Sequence, residues 1–305
     1  MIPIRDDIPS QRVPVCTVLL IVVNVGAFLY QSMLPEEQQE RLVFRYGFTP
    51  ARIAQLRGGE PTVTVISEGI DPRRGGGRIY VFLRPGARDY ALRVPQLGIV
   101  APLEGRPHAQ VVSYADRAVG RWDITVFPLT WGGALASVLT SMFLHGGLLH
   151  LLGNMWYLWL FGDNVEDRLG HGRFVLFYLL TGLLAAVIHL FANPTSAVPT
   201  VGASGAIAGV LGGYAISFPY ARIIVLLPLF WLWPLVELPA MVVLGFWFVI
   251  QFLSGTASLY TIADGGGGVA WWAHIGGFVA GFALMKLFQP EIPGRRGPTW
   301  TERYG

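Results

Sequence analysis

Three short stretches of this sequence carry side chains suited to acyl-transfer chemistry: Gly202-Ala203-Ser204-Gly205, Ala273-His274-Ile275-Gly276-Gly277, and HGGLLHLLGN from His145 to Asn154. A serine hydroxyl becomes a nucleophile when a base within hydrogen-bond reach takes its proton. Read this way, Ser204 attacks a carbonyl while His274 accepts its proton and returns it to a leaving amine. His150, Asn154 and the Ser204 backbone N–H then supply donors for the developing oxyanion. His150 and Asn154 are four residues apart and share one face of a helix. No carboxylate accompanies them, so the expected unit is a dyad with its imidazole held by packing. Structural roles compete with this reading. A serine in an apolar helix commonly bonds its own i−4 carbonyl, a glycine-flanked one is commonly a packing contact, and His150 with Asn154 fits an interhelical polar clamp. His145, His171 and His189 read as structural histidines.

The elements that must hold these residues are apolar. The 305 residues include 22 Lys and Arg and 19 Asp and Glu, or 13% charged against about 25% in an ordinary soluble domain. Only nine of these charges fall between 124 and 289. A simple cytosolic enzyme and a disordered chain are both excluded. A net charge of +3 gives no reason to expect a nucleic-acid partner, and the single Cys16 rules out a disulfide framework or a cysteine-rich metal site. Six apolar segments emerge, near 15–34, 147–161, 174–192, 201–218, 237–253 and 269–288, with breaks that carry charge, proline or glycine. The second is short, so it is expected to start earlier or lie deeper than its apolar core. The first is too long for the apolar region of a signal peptide and lacks a cleavage site, so it reads as an uncleaved anchor.

Arg5, Arg12, Arg168, Arg173, Arg222, Lys286, Arg295, Arg296 and Arg303 collect on one side, and the opposite short loops have none. Both termini are therefore expected in the cytoplasm, of a cell membrane that suits a bacterium. The expected divisions are a cytoplasmic tail (1–14), the first membrane helix (15–34), an extracytoplasmic insert (35–123), a core with helices two to six (124–289), and a second cytoplasmic tail (290–305). The insert has a soluble charge density, with 23 charged residues from 36 to 123. Its 36–57 stretch is mixed-charge and helix-compatible, and strand-like runs lie at 62–66, 79–83, 90–94 and 124–127. No catalytic role is assigned to it.

Depth weighs the chemical reading against the structural one. Segments two, four and six enter from the same, non-cytoplasmic side. His150, Ser204 and His274 lie three to five residues into them, about 5 to 8 Å along each axis. Polar groups inside a membrane are costly, and unrelated structural ones have no reason to share a level. Gly205, Gly209 and Gly213 repeat at intervals of four, as do Gly277 and Gly281. This small-xxx-small spacing predicts that segments four and six pack backbone to backbone, bringing Ser204 to His274.

At these residues the sequence resembles the rhomboid intramembrane serine proteases. The resemblance rests on TSMFLHGGLLHLLGNM (140–155), GDNVEDRLG (162–170), GASGAIAG (202–209), the stretch from LPA to WF (238–248) and AHIGGFVAG (273–281), in that order. It implies an all-α polytopic membrane protein, a six-helix bundle with a small strand-containing extracytoplasmic insert in its first loop. It also implies Ser204 as nucleophile, His274 as base, and His150 with Asn154 as the oxyanion hole. His145, Gly202, Gly205 and Gly277 read as structural support near the site. The implied partners are transmembrane protein substrates in the lipid bilayer, cut near the outer face, with entry gated by 237–253 and the loop before it. Neither metal nor cofactor is implied. Ala208 stands where some family members place an aromatic ring against the base, and the first loop is longer than in minimal members.

Three other readings are open to the sequence. A non-catalytic rhomboid-like protein would bind and direct client membrane proteins, but such relatives typically lack the serine or the histidine. A transporter would continue its polar path to the other face, where segments two, four and six are almost wholly apolar. A metal site of His145, His150 and His274 would lack the nearby Cys or carboxylate usual in a closed site. The sequence names no substrate, cleavage preference or oligomeric state.

Overall fold

Pro14 and Pro35 bracket the first long helix, α1 (Val15–Met33). Leu34 is extended (ψ 148), as a residue before proline prefers to be, so the helix stops there. A short helix, α2 (Glu36–Tyr46), follows. The computed structural model describes residues 1–50, 52–53, 122–194, 196, 198–229, 231–260 and 269–288, with the backbone of strands at 62–68, 79–83, 90–94, 99–103 and 110–111. The glycine run at 265–268 and the expected tail at 290–305 lie outside the described residues.

The insert contains β2 (Thr62–Glu68), β3 (Ile79–Leu83), β4 (Tyr90–Val94), β5 (Ile99–Leu103), β6 (Gln110–Val111) and β7 (Trp122–Leu129). One antiparallel sheet has the order β3-β2-β7-β6, and β4 pairs with β5 alone. The four expected strands are there, and β5 and β6 are additional. Strand β7 runs across the expected boundary at 124. After it comes a helix the sequence reading did not anticipate, α3 (Trp131–Ser141), capped by the Thr130 hydroxyl, which accepts from the Gly133 N–H at 3.1 Å. Its 11 residues, about 16 Å long, are too short to register as a membrane span.

The core helices are α4 (Leu148–Leu169), α5 (His171–Ala192), α6 (Ser204–Ser217), α7 (Ala240–Tyr260) and α8 (Trp271–Phe288). By length and composition, four described helices can cross a membrane: Val15–Met33, His171–Ala192, Ala240–Ser258 and Trp271–Phe288. Helix α6 is apolar but has only 14 residues. It is buried on nearly all sides, packed against α4, α5 and α8, so it meets neighbouring helices and not solvent along most of its length. The fold is that of an all-α polytopic membrane protein.

Several boundaries differ from the sequence expectation. Segment two does not start before 147; it gains two turns at its far end, and Gly170 alone, at φ +80, separates α4 from α5. Residues 201–203 precede α6, because Gly202 at φ +124 cannot continue a right-handed helix. Glu237 lies in a strand, and the break before α7 holds a hairpin, β8 (Arg222–Leu226) and β9 (Leu235–Pro239). Strand β1 (Ile2–Asp6) adds to β8 antiparallel, making a three-stranded sheet at the end of the bundle where α6 finishes. Part of the expected amino-terminal tail is thus paired strand.

Helices α6 and α8 are in backbone contact. A Cβ added at Gly277 would lie 2.0 Å from the Gly205 carbonyl oxygen, and one at Gly281 would lie 1.9 Å from that of Gly209. The third contact uses Gly212, whose added Cβ would meet the Phe278 carbonyl oxygen at 2.1 Å, whereas Gly213 faces Phe177 of α5 and Met285. The repeat of four therefore holds for two turns and then shifts by one residue, as a 3.6-residue helix requires.

Candidate active site

The glycine contact sets the distance between the first turn of α6 and the first turns of α8. Ser204 is the first residue of its helix and half-buried, one turn shallower than the sequence count placed it. His274 is the fourth residue of α8 and buried. The Ser204 Oγ and His274 Nε2 are 2.8 Å apart, within the range of a nucleophile and its base.

The opposite edge of the same ring is also engaged. His274 Nδ1 lies 2.7 Å from the Oε1 of Gln251, a buried residue of α7. Two indoles flank the imidazole: the Trp247 ring centroid is 6.1 Å away at 34°, and the Trp271 centroid is 6.2 Å away at 87°. No aromatic ring follows Ser204 by one turn, and Trp247 and Trp271 restrict the imidazole in its place. The sequence reading assigned this holding role to unspecified packing and missed Gln251.

On the other side of Ser204, α4 presents His150 and Asn154. A Cβ at Gly202 would lie 2.7 Å from His150 Cε1, 2.9 Å from His150 Nε2 and 3.6 Å from Asn154 Nδ2. Glycine is required at this position both for its positive φ and for this approach. The Gly202 N–H donates to the Ser141 carbonyl at 2.8 Å, tying the loop to α3. Asn154 Nδ2 is buried and has no hydrogen-bond partner among the described residues. A buried, unpaired donor costs about 1–3 kcal/mol, and this one lies against Gly202, two residues before the serine. Ser204 thus meets His274 directly, while the loop just before it, at Gly202, packs against His150 and Asn154.

The supporting residues also separate by role. His145 is fully buried, its ring stacks edge-on against His150 with centroids 5.3 Å apart, and neither ring nitrogen has a partner among the described residues. Its backbone is held by Gln31 of α1, whose Nε2 donates to the His145 carbonyl at 2.9 Å. A Cβ at Gly205 would touch Ala185 Cβ at 2.8 Å, so this glycine lets α5 approach. His189 pairs with the Thr200 hydroxyl at 3.2 Å, and His171 pairs with Glu166. Among the described residues, the one grouping with metal-ligand spacing is Cys16, Glu166 and His171, which does not include the three histidines weighed from the sequence. Glu166 already accepts from the Cys16 N–H, the Thr17 N–H and the Thr17 hydroxyl, with His171 on Oε1. Its oxygens are spent on capping α1.

Together, fold and site define a polytopic helical membrane protein with a serine–histidine pair at one end of its bundle. The chain belongs to the rhomboid family: the model of the Rhomboid domain matches residues 132–291. It is 30% identical over 156 residues to the RHOMBOID-like protein 6, mitochondrial, of Arabidopsis thaliana, covering 50% of this chain and 44% of that protein. Against the Rhomboid protease GluP of Bacillus subtilis (strain 168) it is 43% identical over 75 residues, 25% of this chain and 14% of the relative. Against the Presenilin-associated rhomboid-like protein A, mitochondrial, of Danio rerio it is 30% identical over 171 residues, 53% and 39%. In each case the match spans less than half of the relative.

Proposed function

We propose that this chain is an intramembrane serine endopeptidase that hydrolyses peptide bonds in the transmembrane segments of other membrane proteins. The observation that carries the reading is the 2.8 Å contact between Ser204 Oγ and His274 Nε2. His274 Nε2 takes the hydroxyl proton as Oγ bonds to the scissile carbonyl carbon. Asn154, His150 and the Ser204 N–H donate to the resulting oxyanion. When the C–N bond breaks, the imidazolium returns the proton to the leaving amine and an ester remains on Ser204. Water then attacks that ester and gives a proton to His274, which passes it to Oγ as the ester C–O bond breaks, so the acid leaves and the Ser204 hydroxyl and neutral His274 are restored. No metal or cofactor enters these steps.

Relatives carrying the printed name of a protease, such as GluP, support this reading. The placement that goes with it is a cell membrane, multi-pass, with both termini in the cytoplasm and the serine end opening to the other side. The insert, 35–123, is then extracytoplasmic, and residues 124–289 form the catalytic core. The test is reconstitution in proteoliposomes: the protein is expected to cut a single-pass membrane substrate, and Ser204→Ala and His274→Ala are expected to abolish the product. Retained binding with no cleavage by the unmodified protein would instead favour a client-binding role.

A further inference from the structure

A neutral imidazole carries one proton, on Nδ1 or on Nε2. His274 can act as a base toward Ser204 only with the proton on Nδ1 and the Nε2 lone pair directed at Oγ. Packing does not select between these forms: the Trp247 and Trp271 rings restrict the plane of the imidazole and are indifferent to which nitrogen is protonated. The group that discriminates is the acceptor at Nδ1, and that group is the Gln251 side-chain oxygen at 2.7 Å.

We infer that Gln251 is the third member of the unit, a positioning residue that fixes the His274 tautomer through an Nδ1–H···Oε1 hydrogen bond. The inference rests on the protease reading and deepens it. Helix α7 leans on the bundle chiefly through α8, and this bond is a polar tie between the two. An amide suits the setting. A carboxylate here would bring a net charge into an apolar bundle, whereas the amide oxygen provides the acceptor without it.

The electrostatic surroundings make the idea testable. The ionisable groups that act on His274 are His150 of α4 and His189 of α5. Helix α6 adds only Tyr214, ten residues beyond Ser204, and residues 240–258 of α7 have no titratable side chain. Helix α8 itself has only Lys286, twelve residues on, about 18 Å along the axis. A charge placed at 251 would therefore dominate.

The test uses the full-length protein in detergent or proteoliposomes, with Gln251→Met, which keeps the volume and removes the acceptor, and Gln251→Glu, which keeps an acceptor and adds charge. Gln251→Met is expected to lower kcat about 100-fold with KM little changed. Gln251→Glu is expected to retain cleavage with the acid limb of kcat/KM moved up by about one pH unit or more. Nitrogen-15 histidine NMR, with the His274 signal assigned from His274→Ala, is expected to show the Nδ1–H form in the unmodified protein and a mixture in Gln251→Met. Cleavage and tautomer unchanged in Gln251→Met, or an acid limb unmoved in Gln251→Glu, would overturn the inference. The NMR arm does not depend on proteolysis. If Ser204→Ala cleaves like the unmodified protein, the protease reading fails, and the tautomer still reports on Gln251.

Discussion

The two ends of this bundle solve the problem of polar groups in opposite ways. At the serine end, Ser204, His274, Gln251, Asn154 and His150 include no carboxylate, lysine or arginine. At the other end, Asp6 accepts from the Tyr214 hydroxyl at 2.6 Å and from Asn164 Nδ2 at 2.8 Å, and Glu166 caps α1. One end holds neutral groups by close helix packing, and the other ties residues 2–6 and α1 to the core through the carboxyl groups of Asp6 and Glu166. The difference follows the cost of charge: ionised groups are affordable beside water and expensive inside the apolar bundle.

The comparison can be broken most forcefully where packing alone holds the site. Gly277→Ala places a methyl about 2 Å from the Gly205 carbonyl, and backbone cannot step aside as a flexible side chain can. Helices α6 and α8 must separate, so cleavage is expected to vanish and the unfolding temperature in detergent to fall, with a cost of about 3 kcal/mol. Retention of full activity would show that the contact does not set the Ser204–His274 distance.

At the charged end, Glu166→Ala strips the Cys16 and Thr17 N–H groups of their acceptor. About 1.5–3 kcal/mol of stability should be lost, read as a lower denaturation midpoint, while kcat of the folded fraction stays near normal. A selective loss of kcat would show that the two ends are coupled.

The smallest effect concerns Asp6. Burial raises its carboxyl pKa above the usual value, against the lowering hydrogen bond from Tyr214. A raised folded-state value means the fold favours the protonated form. The corresponding stability is present below about pH 4 and is lost as pH rises through the raised value. Protection of the amides at residues 2–6, taken as the intrinsic over the observed exchange rate at each pH, should therefore fall across that window, and Asp6→Asn should flatten the trend.

Much of the serine end was legible in the sequence because polar residues stand out in apolar helices. Ser204, His274 and His150 share a depth on segments entering from one side, and Asn154 stands one turn from His150 on the same helix face. Gln251 obeys the same rule but escaped, because its helix enters from the other side. Eleven residues beyond Ala240, about 16 Å along the axis, it reaches the serine level from below. The one-turn error in the depth of Ser204 came from Gly202, whose positive φ is a property of the fold and not of composition. At the other end, the pairing of residues 2–6 with 222–226 joins short strands far apart in sequence, which no local pattern reveals. Glu166 is one of several charges in a break between apolar segments, and only the tertiary fold brings it to the start of α1.

The central claim is that His274 activates Ser204 as a nucleophile. Mapping the adduct of a fluorophosphonate probe on the full-length protein in membranes tests it most directly. A single modification on Ser204, lost in His274→Ala, is the predicted result. No adduct at Ser204, or one formed equally well without His274, would contradict it.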